Sequence, residues 1–526
     1  MLGRFDDLEA LAARRPRLVA AAIAALLVTL VAWSAWNRWT FLTSSPYPMG
    51  IDGYFYPLQL RSLLDHGTLR YPSSPLGFWL MAPLAALTDP MTGAKLGAAL
   101  FGALVALPTY AVGRRLGGSR PAGLLAAALA TPSAGSFYLT IEFVKNGIGV
   151  TVAMTYLWLL LRAFERPSRG RVVAAAAGFA AAVLTHKFAA GLALVVTVPA
   201  VAVEIYAHRT SPRWRWLAAP GRLLVGAAIV GGGVLLLSVG ASILFPDRFL
   251  GLDELHLIDR MFTSTARWEI PTLQLGRRTM WLGHEPAIGG VLGLAVLGLL
   301  AARRWWSGAP RLGWRPGTGG AAVALAALAV LVALPWLDVG DVQGLPFRLR
   351  IVAFVPMALV GAAAAGLALA RVTPTTRATV ALAFAVTWVG LQPPWRDEGV
   401  VRAHPAMVSA VIALDGALPD DAMVVIPERH ILFMVAWYTR YPAWLHPDHV
   451  PEAHRWRIMP LAFIGRDSPL DRALMAARAE PGLVAPIGTH PRHPDGLVAV
   501  PEATWRWVLD RLPERARQRF QRWPTI

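Results

Sequence analysis

Pro48-Met49-Gly50-Ile51-Asp52-Gly53-Tyr54-Phe55-Tyr56 follows closely on the apolar run 18–36. An acid set beside aromatic rings, just beyond a membrane-spanning segment and on the side that charge placement predicts to be extracytoplasmic, is a candidate catalytic group. Asp-Gly is also a common turn pair, so the same residue fits a polar turn. The two readings separate only through what surrounds the stretch.

Working outward, the 526 residues are 55% hydrophobic and 16% charged, and several apolar runs are long enough to cross a bilayer. The chain is predicted to be an α-helical polytopic membrane protein. Its net charge of +18 would suggest nucleic acid in a soluble chain. Here the arginines gather in short loops between apolar runs, as the positive-inside rule requires, and no nucleic-acid partner is expected. With no cysteine, disulfides, thiolate metal sites and cysteine nucleophiles are excluded. Residues 1–17 mix acids with arginines and no small-residue cleavage site follows, so the first helix is expected to be retained.

A window of about 19 residues marks candidate spans at 18–36, 94–112, 121–139, 146–164, 171–185, 188–206, 222–245, 287–302, 319–336, 350–370 and 376–393, eleven in all. Arginine position supports this division. Arg14, Arg15 and Arg17, then Arg114, Arg115 and Arg120, then Arg166, Arg169 and Arg171 fall on one side, and so do Arg209, Arg213 and Arg215, then Arg303, Arg304, Arg311 and Arg315, then Arg371 and Arg377. With these loops cytoplasmic, the C-terminal region 394–526 is expected outside. The stretch Pro75–Leu87 is short and interrupted by proline, so it is assigned to the interface. The long run 171–206 has arginines at both ends and must cross twice, with its break at Thr185-His186-Lys187.

This gives a transmembrane region 1–393 with outer loops 37–93 and 246–286, followed by a small extracytoplasmic α/β domain over 394–526. In the latter, Ala406–Leu418, His430–Thr439 and Glu502–Arg511 read as helices and Met423–Ile426 as a strand. The outward segments collect unusual polar residues: Asp52, Asp65 and His66 in the first loop, Glu142, Lys145 and Asn146 in the second, His186 and Lys187 in the third, and His284 and Glu285 at the end of the long fourth. Arg348 and Arg350 open the helix after the fifth.

Gly50 to Gly67, followed by Tyr71-Pro72-Ser73-Ser74-Pro75-Leu76-Gly77, resembles the first outer loop of the polytopic type C glycosyltransferases, especially the oligosaccharyltransferase catalytic subunits. Ser133-Ala134-Gly135-Ser136-Phe137 through Lys145-Asn146-Gly147-Ile148-Gly149 is similar to their second outer loop, and Gly283-His284-Glu285-Pro286 to the loop end where the family places a glutamate. The resemblance covers roughly the first 190 residues and scattered points later. It implies transfer of a sugar from a polyprenyl-phosphate or polyprenyl-diphosphate donor to a glycan, lipid or protein acceptor at the outer face of the cell (inner or plasma) membrane. A phosphate leaving group needs cationic stabilisation more than a protonated acid. Arg348, Arg350, Lys145, His186 and Lys187 are the candidates for binding it, and Asp52 is the candidate general base for a hydroxyl acceptor.

Two departures shape the expectation. Where the oligosaccharyltransferases hold a divalent metal on an acidic pair, this chain has Val144, Lys145 and Asn146, with Glu142 displaced toward the N-terminus. Mg or Mn therefore stays open as a cofactor, and Glu142, His284 and Glu285 stay open between metal and acceptor binding. Ala436-Trp437-Tyr438-Thr439-Arg440-Tyr441 is aromatic but lacks the family's acceptor-recognition ending, which argues against asparagine glycosylation. Simpler roles stand beside each assignment. Glu142 and Lys145 are spaced for a helix-end ion pair, His186 and Lys187 for interfacial anchoring, His284 and Glu285 for a helix start before Pro286, and the two arginines for lipid headgroups. The histidines of 446–454 and 490–493 sit among prolines and read as loop residues rather than a zinc site. The competing classes are a saccharide or lipid transporter or flippase and an inactive scaffold of envelope assembly.

Overall fold

The computed structural model describes residues 15–207, 261–263, 273–275, 281–302, 317–339, 345–369 and 372–391 and, with short gaps, 403–517. The expected span 222–245, most of the fourth outer loop and the histidine-rich stretches 446–454 and 490–493 lie outside the described residues.

The chain divides into two compact units. The first comprises Met1–Ser44, Tyr71–Leu87 and Lys95–Gly399. Its helices in chain order are α1 (Pro16–Leu42), then, after α2 of the other unit (Phe55–His66), α3 (Leu76–Leu87), α4 (Pro90–Ala103), α5 (Ala106–Leu116), α6 (Arg120–Ala130), α7 (Ala134–Ile141), α8 (Val144–Glu165), α9 (Arg169–Thr185), α10 (Lys187–Ala207), α11 (Glu285–Ala302), α12 (Thr318–Val332), α13 (Leu345–Ile351), α14 (Phe354–Ala368) and α15 (Pro374–Leu391). A two-stranded antiparallel ribbon, β1 (Leu273–Leu275) with β2 (Trp281–Gly283), precedes α11.

Apolar length decides these elements, and ten of the eleven expected windows fall on helices. By length and composition four helices among the described residues suit a membrane crossing: Pro16–Leu42, Pro90–Leu116, Val144–Glu165 and Glu285–Ala302. Two bent pairs bring this to six, α6 with α7 at 51° and α13 with α14 at 45°. The chain is an integral membrane protein. α3 is a short apolar helix with Pro83 inside it. Between α9 and α10 lies the single extended residue His186, at φ −171° and ψ 141°.

With little hydrophobic driving force between helices in lipid, close approach of small residues supplies the packing. α5 and α6 form an antiparallel pair, where a Cβ on Gly113 would lie 2.4 Å from that of Ala126. α14 crosses their junction so closely that a Cβ on Gly366 would meet the Gly117 carbonyl oxygen at 2.5 Å. Serine caps start α6, α7 and α9: Ser119, Ser133 and Ser168 accept from Ala122 N, Ser136 N and Arg171 N.

The second unit comprises Ser45–Arg70, Thr88–Ala94 and Val400–Ile526. It carries α2, α16 (Pro405–Ala413), α17 (Arg429–Tyr438), α18 (Pro469–Ala479) and α19 (Glu502–Arg511) around a five-stranded mixed sheet of order β4-β3-β5-β7-β6. β3 (Met423–Val425) runs parallel to β4 (Ala443–Trp444) and β5 (Ile458–Ile464), while β7 (Gly496–Ala499) is antiparallel to β5 and β6 (Ile487–Gly488). Val425, Leu474, Ala477, Val500, Trp505 and Val508 pack into one of its cores. The expected helices end a few residues differently from α16 and α17, and four of the five strands escape the sequence reading because each is short or broken by proline.

Candidate active site

In the first unit, the broken span α6–α7 and the helix after it build the site. Ser133 caps α7, Glu142 ends it, and after Phe143 the chain restarts as α8. Glu142 is buried, and Lys145 lies in the first turn of α8, half-buried. A cation there opposes the helix dipole, so helix stability does not account for it. Its Nζ donates to Ser73 Oγ and lies 5.7 Å from the centre of the Phe78 ring.

The break between α9 and α10 repeats the pattern. His186 precedes Lys187, the first residue of α10, and its Nδ1 accepts the Phe188 N–H at 3.0 Å. That bond fixes the neutral tautomer with the proton on Nε2. The N-terminal turns of α8 and α10 touch, since a Cβ on Gly149 would lie 2.8 Å from that of Ala189. Two helix N-termini, each carrying a lysine, therefore lie side by side, an arrangement that suits an anion.

Arg348, on α13, completes the cluster. Its Cζ lies 5.7 Å from the centre of the Phe143 ring, and its charge acts on both His186 and Lys187. Burial pushes His186 well below the usual histidine range, with Lys145, Arg348 and Lys187 adding to the effect. Lys145, His186, Lys187 and Arg348 are thus brought together. Tyr138 stacks edgewise on Phe143 and Phe347, at 5.9 and 6.4 Å, tying α7 to α13.

The other residues singled out in the first unit take different places. Arg350 is buried and donates from Nε to the Val332 carbonyl at 3.3 Å and from Nη2 to that of Leu334 at 3.2 Å, capping the end of α12. His284 is exposed. Glu285 is buried, and its Oε1 accepts the Ala134 N–H at 2.7 Å, which closes the N-terminus of α7 from outside. Among the described residues no three His, Asp or Glu side chains converge.

Asp52 belongs to the second unit. It is half-buried in a turn: Gly50 has φ +87°, Gly53 N donates to the Gly50 carbonyl at 3.2 Å, and Phe55 N to that of Asp52 at 3.0 Å. Gly53 admits no side chain, as a Cβ would stand 2.6 Å from the Met49 carbonyl oxygen. The helix that follows, α2, is fastened to α17. The Tyr54 and Tyr438 hydroxyls are 3.2 Å apart. Arg61 donates to the carbonyls of Trp437 and Ala436 at 3.1 and 3.2 Å, with its Cζ 4.2 Å from the Trp437 ring. Burial raises the Tyr54 phenol far above its usual range and lowers the Arg61 guanidinium. These contacts, with partners more than 370 residues apart, leave no signal in the sequence beyond the aromatic run 436–441.

Residues 72–231 match the family described as dolichyl-phosphate-mannose-protein mannosyltransferase. Among solved structures, the chain is similar to ArnT from Cupriavidus metallidurans bound to undecaprenyl phosphate, with 17% identity, coverage of 90% of this chain and 97% of that one, and a TM-score of 0.49. The apo state of the same protein gives 16% identity, coverage of 91% and 98%, and a TM-score of 0.49. No curated protein matches. The family match contains the stretch 133–149 and the cations Lys145, His186 and Lys187, and over residues 72–231 the chain is similar to a family of membrane glycosyltransferases, in agreement with the resemblance carried by the sequence.

Proposed function

We propose that the chain transfers a sugar from a polyprenyl-phosphate-linked donor to an acceptor hydroxyl at the extracytoplasmic face of the membrane. The observation that carries this reading is the meeting of Lys145, His186, Lys187 and Arg348 at two adjoining helix N-termini, within and beside the matched region. The family's description names a sugar carried on a polyprenyl phosphate.

The chemistry assigns one role to each group. The acceptor oxygen attacks the anomeric carbon and its proton passes to the Asp52 carboxylate. The bond from the anomeric carbon to the phosphate oxygen breaks, and its electron pair leaves with the polyprenyl phosphate. Lys145, Lys187 and Arg348 stabilise the growing negative charge, and His186 donates its Nε2–H to a phosphate oxygen. Displacement of this kind inverts the anomeric centre. Glu142 is proposed to orient the cations.

The test is transfer of radiolabelled sugar from a panel of polyprenyl-phosphate-linked donors by the purified full chain, comparing wild type with Asp52→Asn, with and without chelator. Loss of transfer only in the variant supports the base. Chelator-insensitive transfer assigns the phosphate to lysine, arginine and histidine. Turnover of no donor above the variant's level by folded protein would overturn the reading in favour of a transporter or scaffold.

A further inference from the structure

Arg38 is the least expected residue of α1. It lies four residues before the end of a helix suited to crossing the membrane, and its side chain is 1% exposed. A buried guanidinium ordinarily finds a carboxylate. Among the described residues this one has only neutral partners. Nη1 donates to Ser34 Oγ of its own helix, Nη2 to the Thr131 carbonyl at 3.1 Å and to Ser136 Oγ at 2.7 Å, and Nε to Thr140 Oγ1 at 3.0 Å. The Phe137 ring covers the group, with its centre 5.4 Å from Cζ. On α4, Gly102 leaves the room it occupies, since a Cβ there would stand 2.7 Å from Thr140 Oγ1 and 3.0 Å from Arg38 Nε.

Apart from Ser34, every oxygen it reaches belongs to the bent pair α6–α7. Thr131 ends α6, and Ser136 and Thr140 lie one turn apart on the same face of α7. The interruption at Thr131-Pro132-Ser133 interrupts the backbone ladder between the two helices, and in lipid such groups need partners. Arg38 supplies one from one side. Glu285 supplies another, accepting the Ala134 N–H. A cation from α1 and an acid from α11 thus grip the eight residues of α7 at separate points. α7 leads directly into Glu142, Phe143 and Lys145.

We propose that Arg38 is a positioning residue: by holding Thr131, Ser136 and Thr140 it fixes the bend between α6 and α7, and through it the placement of Glu142 and Lys145. The second half rests on the proposed function, while the first concerns the helix alone.

The absence of cysteine from the chain permits a direct test. Tyr138 on α7 and Phe347 on α13 have ring centres 6.4 Å apart. Tyr138→Cys with Phe347→Cys, treated with a short bifunctional thiosulfonate, reports the placement of α7 without any substrate. Arg38→Met, and separately Ser136→Ala with Thr140→Val, should each slow cross-linking at least fivefold. The double variant leaves the arginine in place and guards against a misfolded Arg38→Met protein, both being checked by size-exclusion profile. An unchanged cross-linking rate in monodisperse Ser136→Ala/Thr140→Val protein would overturn the proposal. In the proteins without introduced cysteines, the same substitutions should raise KM for a polyprenyl-phosphate donor, or weaken binding of undecaprenyl phosphate, at least tenfold. Slower cross-linking with unaltered binding would refute the link to the site. If wild type binds no polyprenyl phosphate, the functional reading fails and the cross-linking result still decides the role of Arg38 in the bend.

Discussion

His186 gives the sharpest physical prediction, because its titration and its hydrogen bond can be separated. Its folded-state acidity is shifted so that the neutral ring persists well below the ordinary value of 6.5, chiefly through burial and then through Lys145, Arg348 and Lys187. Above about pH 6.5 neither folded nor unfolded chain binds a proton at this ring. Below it the unfolded chain binds one and the folded chain refuses it. More protons on the unfolded side mean that stability rises with pH and is lost as pH falls, by up to about 1.4 kcal/mol per pH unit. Between pH 7.5 and 5.5 this one residue should therefore lower the stability of the folded chain as the pH falls.

His186→Asn isolates the effect. Asparagine is a strong N-cap, and its side-chain oxygen can accept the Phe188 N–H that Nδ1 accepts now. The variant should therefore match wild type at pH 7.5 and exceed it in stability at pH 5.5. Denaturant titration of the purified protein in detergent, read by tryptophan fluorescence at several pH values, measures the difference, and subtraction removes every other histidine. Saturating undecaprenyl phosphate should flatten the wild-type slope, since an anion beside the ring favours its charged form. Parallel wild-type and variant curves between pH 7.5 and 5.5 would refute the reasoning.

Other substitutions test the remaining groups. Lys145→Met removes a charge that, at about 4 Å from a phosphate and an effective dielectric of about 20, contributes about 4 kcal/mol; discounted to about 2 for its half-exposure, this predicts roughly 30-fold weaker binding of polyprenyl phosphate by equilibrium dialysis into detergent. Arg350→Met should lower stability by about 2 to 3 kcal/mol through loss of two charged hydrogen bonds to carbonyls, while KM for the donor stays unchanged; a raised KM with intact stability would return Arg350 to the phosphate site. Gly135→Ala would place a Cβ 1.9 Å from the Ile351 carbonyl oxygen and should cost about 1 to 3 kcal/mol in the same denaturant titration. Asp52→Asn should reduce sugar transfer by about 10²- to 10⁴-fold with donor binding unaffected.

What could be read from the sequence follows from how far apart the interacting residues lie. The membrane helices were legible because apolar length is a local property, and the extended break at His186 was legible because arginines at both ends of 171–206 demand an even number of crossings. The cations were legible as polar residues stranded between apolar runs. Their convergence was not, since Arg348 reaches His186 only through the packing of α13. Arg38 escaped because it lies just past the apolar window ending at 36, although Ser34 with Arg38 and Ser136 with Thr140, each four apart, were a faint sign of two polar faces. In the second unit, Ile458–Ile464 is interrupted by Pro460, and β4 and β6 are two residues each, below the length at which alternation becomes visible.

The placement of charge along the helices is itself evidence. A sequence selected for stability alone would put acids in first turns and bases in last turns, each worth about 0.3–1 kcal/mol. α8 and α10 do the reverse: neither has an acid in its first turn, and each has a lysine there. α11, by contrast, follows the rule with Glu285. Local rules tend to be broken at functional sites, and here two adjoining helices break the same rule in the same sense, joined by Arg348. Lone anchoring lysines would not need to converge, whereas an anion drawn to both helix ends would gain from every one of these violations. The same logic predicts that reversing one of them, Lys145→Glu, should stabilise the empty protein or leave it unchanged while abolishing undecaprenyl phosphate binding; a variant that is destabilised yet still binds would show that the lysine serves the fold and not the ligand.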